Sequence, residues 1–420
     1  MIMQSEELWP DYLVRARWFQ AKGLPISDIS LQPLPWYTQT ADIWIRSELA
    51  RVTVDETSQT YHIVAGYLPS GQAEPVALVG QAELEGRGQV DVVDVPYSNQ
   101  AMACLLQTLT QEQSATNWLT RPPEPTLPTK VFTGEQTNTS VQIGEVALLK
   151  IFRKLQPGPN LESETLAALS GHDMTPRLLG TWSTDDQTYE LGNFCQWITD
   201  TEDGWDYCVR ACQSGQSITD EMLSLGQTLR QLHTGLADVF GTATITTTEI
   251  SQRMLTRLTE ASADLPDLSD LDGLQEILDL PKTTIEVQRL HGDFHLGQTL
   301  TSPTGWKIVD FEGEPLTSPD ERSAFNAVWK DVAGLLRSLD YVRQSHHDPD
   351  GASARKWYQS ARQAFLDGYA SGSPLPLTLI TAYEIDKAIY ELIYETRNRP
   401  TWTGIPRRAI NEAIKSRPAI

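Results

Sequence analysis

His291-Gly-Asp-Phe-His-Leu-Gly-Gln298, followed closely by Ile308-Val-Asp-Phe311, decides how this chain is read. A His-Gly pair precedes a loop aspartate, an amide stands five residues on, and a short apolar run ends in a second aspartate. Phosphoryl transfer needs those parts: one aspartate to accept a hydroxyl proton, and an amide and a second aspartate to bind Mg²⁺. Phosphate, cations and acceptor oxygen must be held in line for it. Each residue also has an ordinary reading. An aspartate in a polar turn caps it, His291 can be satisfied by a backbone carbonyl, and Gln298 can be a solvated amide. The order, the spacing and the β-rich run Thr304 to Glu312 favour the functional reading of the set.

The 420 residues allow two or three domains, and 40% hydrophobic residues support real cores. A formal net charge of -22 argues against nucleic acid and anionic membrane as partners. No apolar run is long enough to span a bilayer, and the first residues lack a signal-peptide pattern. Cys104, Cys195, Cys208 and Cys212 match neither a disulfide framework nor a zinc pattern, so reduced cysteines and a cytoplasmic location are expected.

Short alternating runs at Ile43, Ile45, Val52, Val54, Ile63 and Val64 predict a β-rich cap over 1–90. Residues 91–200 open with a helix, pass a proline-rich connector at 121–128 and continue as strands, with a hairpin turning near Gly144-Glu145. Residues 201–420 read as mainly helical, with Val332, Leu335, Leu336 and Leu339 on one face and a long final helix ending before Pro400. This order predicts an α+β, two-lobed fold like that of eukaryotic protein kinases, with the cap as an extra domain.

Such a fold needs a strand lysine for the ATP phosphates and a helix glutamate to hold it. Lys150, inside the apolar Ala147–Ile151 run, is the candidate, with Glu164 as its expected partner and Glu162 as runner-up. The ordinary reading has Lys150 snorkelling from an edge strand. Arg153 and Lys154, past the apolar segment, look solvated. The turn Phe132 to Ser140 has one glycine and so is not a glycine-rich phosphate loop. Its polar groups, Thr137 and Ser140 among them, either bond phosphates or simply close a polar hairpin. Lys387, Tyr390, Tyr394 and Arg397 recur at helical spacing and are candidates for a sugar-binding stripe. The alternative is a helix burying two tyrosines with charges at its rim. Asp331 either supports the His-Gly-Asp loop or caps its helix.

Together HGDFHLGQ, WKIVDFEGEP, DVAGLLRSLDY, FTGEQTNTSV, ALLKIFRKLQPGPN and YETRNRPTW resemble the actinobacterial maltokinases, whose two-lobed fold is like that of aminoglycoside phosphotransferases and choline kinases. RARWFQAKG resembles the opening of their cap. The resemblance implies ATP-dependent phosphorylation of maltose at its anomeric hydroxyl, with ATP and Mg²⁺ as cofactors. It implies Asp293 as base, Gln298 and Asp310 on Mg²⁺, and Lys150 with Glu164 on ATP. It places Gln196, Trp197 and Ile198 at an adenine hinge, and His295 with the Lys387 stripe on the sugar. A trehalose synthase, or a second copy of the chain, is the expected partner of the cap. A glucosamine or aminoglycoside kinase with the same catalytic parts is the alternative, and a pseudokinase scaffold is a third reading.

Overall fold

A computed structural model describes residues 3–19, 21–22, 24–54, 57–111, 114–132, 137–264, 271–314 and 317–415. Of the expected phosphate-covering turn, residues 133–136 lie outside the described residues. The chain forms two compact units, 1–170 with 176–199 and 171–175 with 200–420, so the expected segment 1–90 lies in the first, as does 91–200 apart from 171–175 and Asp200.

The first unit begins with β1 (Met3–Gln4) and α1 (Trp9–Leu13). Then come β2 (Ile26–Gln39), β3 (Trp44–Val54), β4 (Thr57–Pro69), β5 (Leu78–Leu84) and β6 (Gly88–Asp94). They form a sheet in the order β1-β5-β6-β4-β3-β2. Side chains alternate across a strand, and β4 is buried on both faces. Tyr61, Ile63, Ala65 and Tyr67 face Trp9, Leu13, Trp18 and Phe19. Val64 and Leu68 face the opposite core, with Met102, Leu105 and Leu106. That two-sided burial explains why 61–68 reads as a nearly unbroken apolar run.

Those three core residues belong to α2 (Asn99–Leu109), capped by Ser98. The chain continues through β7 (Thr116–Trp118), β8 (Thr129–Val131), β9 (Thr139–Ile143), β10 (Ala147–Ile151), β11 (Lys154–Leu155), α3 (Leu161–Ala168), β12 (Leu178–Ser183) and β13 (Glu190–Gln196). The second sheet runs β7-β12-β13-β10-β9-β8, and β11 leaves it to pair with β4 of the first. Arg153, between β10 and β11, corrects the solvated expectation: it is fully buried against Asp94, at 2.9 Å. A partner fifty-nine residues away leaves no local signal.

In the second unit, β14 (Glu202–Asp203) leads into α4 (Gly204–Ser214) and α5 (Thr219–Phe240). After β15 (Thr242–Thr246), α6 (Thr247–Asp264) and α7 (Leu271–Leu278) comes β16 (Thr284–Gln288), which pairs with β15. A hairpin of β17 (Thr299–Ser302) and β18 (Gly305–Ile308) pairs with β14. Helices α8 (Pro319–Ser323), α9 (Trp329–Gln344), α10 (Ala352–Ala370), α11 (Leu377–Asn398) and α12 (Gly404–Lys415) complete it. The His-Gly-Asp loop lies between β16 and β17, and β18 delivers Asp310. No helix among the described residues is long and apolar enough to cross a membrane.

Candidate active site

In the first unit, Lys150 lies opposite Ser140 of β9 and Asn193 of β13, so the three share one sheet face. Its ammonium, mostly buried, meets Glu162 at 3.0 Å. This corrects the choice of Glu164: α3 turns Glu162 inward and leaves Glu164 exposed. Beside Glu162 on the inward face of α3, Ser163 donates to Glu190 and accepts from Asn193 Nδ2 at 3.0 Å. Thr137, half-buried, lies two residues before β9, and Ser140, buried, is the second residue of that strand. At the end of β13, Gln196 N donates to the Arg177 carbonyl and Trp197 N to the Val146 carbonyl. Trp197 stacks on Phe132 with centroids 5.7 Å apart, and Ile198 beside it is half-buried.

In the second unit the His-Gly-Asp loop is built around one carboxylate. Asp331, buried in the first turn of α9, accepts from His291 N at 2.9 Å, from Gly292 N at 3.0 Å and from His233 Nε2 at 3.0 Å. It supports the loop and does not cap the helix, whose N-cap is Val328. Burial would raise its pKa, but the bond to His233 and the charges of His233 and His291 hold it below the usual carboxylate value. Gly292, at a φ of 89°, takes a left-handed turn that a side chain would strain. Gly334 lets α9 approach the loop: a Cβ there would lie 2.4 Å from the Phe294 carbonyl oxygen. His291 reaches across to the Val309 carbonyl at 3.0 Å, tying the loop to the strand that carries Asp310.

Gln298 Nε2 donates to Asp310 Oδ2 at 3.1 Å, so the structure brings the two expected metal ligands together. Asp310 has a φ of 64°, a backbone state disfavoured for most side chains and often found at functional sites.

Asp293 sits on the wall of a pocket of about 370 Å³, with His295, Lys387, Tyr390, Glu391, Tyr394 and Glu395 among its lining residues. Lys387 Nζ meets Asp293 Oδ1 at 3.0 Å and Glu314 Oε1 at 2.7 Å, and lies 4.7 Å from the centre of the Tyr390 ring. Burial alone would push the Asp293 carboxyl up. The positive charge of Lys387 and its hydrogen bond hold it well below the carboxylate range. Burial pushes the His295 imidazole down, toward its neutral form. Its Nδ1 accepts from Gly297 N at 3.1 Å.

Lys387, Tyr390 and Tyr394 of the expected stripe line this pocket, and Arg397 does not: it is exposed at the end of α11. Arg399 takes that place, where the chain leaves the helix, over the rings of Tyr394 at 5.5 Å and Trp402 at 5.1 Å. Sequence reading also missed Glu391 and Glu395. Their spacing of four and eight residues from Lys387 was the available signal. Glu391 is held by Arg337 at 2.8 Å. Glu395, 2% exposed, accepts from Arg399 Nη2 at 2.9 Å through Oε1, and its Oε2 has no hydrogen-bond partner among the described residues. Burial raises the pKa of both glutamates.

Residues 129–374 match the Phosphotransferase enzyme family. A glucosamine kinase of Streptacidiphilus jiangxiensis is 28% identical over 321 residues, 67% of this chain and 73% of that protein. A glucosamine kinase of Mycolicibacterium smegmatis is 26% identical over 324 residues, 66% of this chain and 78% of that one. Among solved structures, a glucosamine kinase in complex with glucosamine, ADP and inorganic phosphate superposes with a TM-score of 0.65 at 22% identity, covering 98% of this chain and 99% of the other. The α+β, two-lobed kinase-like fold expected from the sequence is thereby borne out.

Proposed function

We propose, from the premise that this chain belongs to the phosphotransferase enzyme family, that it transfers the γ-phosphoryl group of ATP to a hydroxyl of an amino sugar of the glucosamine class. The observation that carries the substrate class is Glu395 Oε2, a buried carboxylate oxygen without a partner among the described residues, in the pocket that Asp293 lines. An ammonium group there would form a charge-assisted hydrogen bond, roughly twice as strong as a neutral one. The glucosamine kinases among the relatives support the same reading. Maltose is the second reading: Tyr341, Tyr394 and Trp402 line the pocket, and aromatic side chains are frequent in the walls of ligand sites.

The roles divide by unit. In the first, Lys150, held by Glu162, meets the ATP phosphates, and the strand end at Gln196 and Ile198 offers backbone groups to the base. Thr137 and Ser140 add polar groups around the start of β9. In the second, Asp293 orients the acceptor hydroxyl and accepts its proton, and Lys387 keeps that carboxylate ionised. Mg²⁺ takes hard oxygen ligands. The Asp310 carboxylate and the Gln298 amide oxygen suit it, since the two side chains already lie within hydrogen-bond distance and an amide can present either end. When bound, the ion neutralises charge on the phosphates. Asp293 and its neutral neighbour His295 then face the sugar.

The test is ADP release with glucosamine, maltose and glucose as acceptors, with Glu395→Gln beside the wild type. Glucosamine is expected to be the best acceptor. Glu395→Gln should raise its KM about tenfold, within the range for a lost charged hydrogen bond, and leave the KM for ATP unchanged. Turnover on maltose with none on glucosamine would replace this reading by the second.

Lys387→Met tests the control of Asp293. With the positive charge gone, burial dominates and the folded pKa of Asp293 rises. The acid limb of the pH–kcat/KM profile should move from below the ordinary carboxylate range to above it. An unshifted limb would show that Lys387 does not set this ionisation.

A further inference from the structure

Arg153 and the Arg17-Trp18 pair take no part in the chemistry above, yet they converge on the strands around Lys150. The buried guanidinium of Arg153 donates from Nε to Thr139 Oγ1 at 2.8 Å, from Nη1 to the His62 carbonyl at 3.4 Å, and from Nη2 to both oxygens of Asp94 at 3.1 and 2.9 Å. The Trp18 ring lies 4.6 Å from it, and Tyr12 donates to Asp94 Oδ2 at 2.6 Å. The backbone is held as tightly. Arg153 N donates to Asn138 Oδ1 at 3.1 Å, and its carbonyl accepts from His62 N at 2.8 Å. Arg17 donates to the Phe132 carbonyl at 3.2 Å, and Phe132 N donates to the carbonyl of Ser140, the residue opposite Lys150.

A dry ion pair rarely gains stability over apolar side chains of similar volume, whereas its geometry is demanding. We propose that Arg153 is a positioning residue: it locks the lysine strand β10 and the start of β9 to the N-terminal sheet, so that the N-terminal segment controls nucleotide affinity through Lys150. The proposal rests on the reading of Lys150 as a nucleotide ligand. It concerns ATP alone and is independent of which sugar is the acceptor.

The experiment is ADP binding by calorimetry and thermal unfolding, without sugar, on the full chain. The variants are Arg153→Met with Asp94→Leu, Arg153→Lys, and Lys150→Ala. The double variant replaces a buried pair by apolar side chains, so its unfolding midpoint should stay within a few degrees of the wild type. Its ADP affinity should fall about tenfold, within the range seen for residues that act through others. Arg153→Lys keeps the charge but loses the fork, and should weaken ADP in the same direction. If the double variant binds ADP like the wild type while Lys150→Ala is weakened, the pair is only structural and the proposal fails. If Lys150→Ala also binds normally, the reading of Lys150 falls with it. Should the double variant not fold, Arg153→Lys decides between the same outcomes.

Discussion

Asp293→Asn is expected to cut turnover by about 10²- to 10⁴-fold, the scale for losing a general base, while ADP affinity stays at the wild-type value. The amide keeps the shape of the side chain but cannot take the acceptor proton. Lys387 retains its 2.7 Å contact to Glu314 in the variant, so the pocket wall keeps its salt bridge. The proposed nucleotide and metal ligands, Lys150, Gln298 and Asp310, are all kept. The measurement is steady-state turnover beside calorimetric ADP binding. Turnover within a few-fold of the wild type would remove Asp293 from the role of base.

The second large effect is expected at a residue that touches no substrate. Asp331→Ala leaves His291 N, Gly292 N and His233 Nε2 without the acceptor they share. Unpaired buried donors cost about 1–3 kcal/mol each, and breaking a buried charged network about 3–5 kcal/mol. At roughly 2–4 °C per kcal/mol for a unit of this size, the unfolding midpoint should fall on the order of 10 °C. Turnover should fall as well, even well below that midpoint, because Asp293 would no longer be aimed. A stable variant with normal turnover would show that the loop holds its shape without Asp331.

The parts of the site that the sequence made legible are those whose chemistry is local. The two aspartates, Gln298 and the lysine strand lie in short motifs with fixed spacing, and the fold follows from the order of those motifs. Arg153 was misread because polarity was taken as a sign of exposure, and the choice between Glu162 and Glu164 turned on which face of α3 is buried. Glu162 and Arg153 are polar and buried, each satisfied by a partner on another element. Local pattern carries no trace of such a partner. Arg397 failed for a different reason. Helical spacing was carried to Arg397, whereas the pocket face runs on through Glu395 to Arg399, four residues further, where the chain leaves α11.

The close fit of Gly334 against the Phe294 carbonyl has a consequence for a small substrate. A monosaccharide offers about a dozen non-hydrogen atoms, and even the best small ligands gain no more than about 1.5 kcal/mol from each. Little of that is left over for ordering a loop. With α9 already pressed against the loop and Asp331 already bonded to it, the folding of the unit has met the entropy of loop formation before the sugar arrives. The whole of a modest affinity can then go into orienting one hydroxyl toward Asp293. A bulkier residue at 334 would therefore be felt first by the smallest acceptors, and least by acceptors large enough to order the loop themselves.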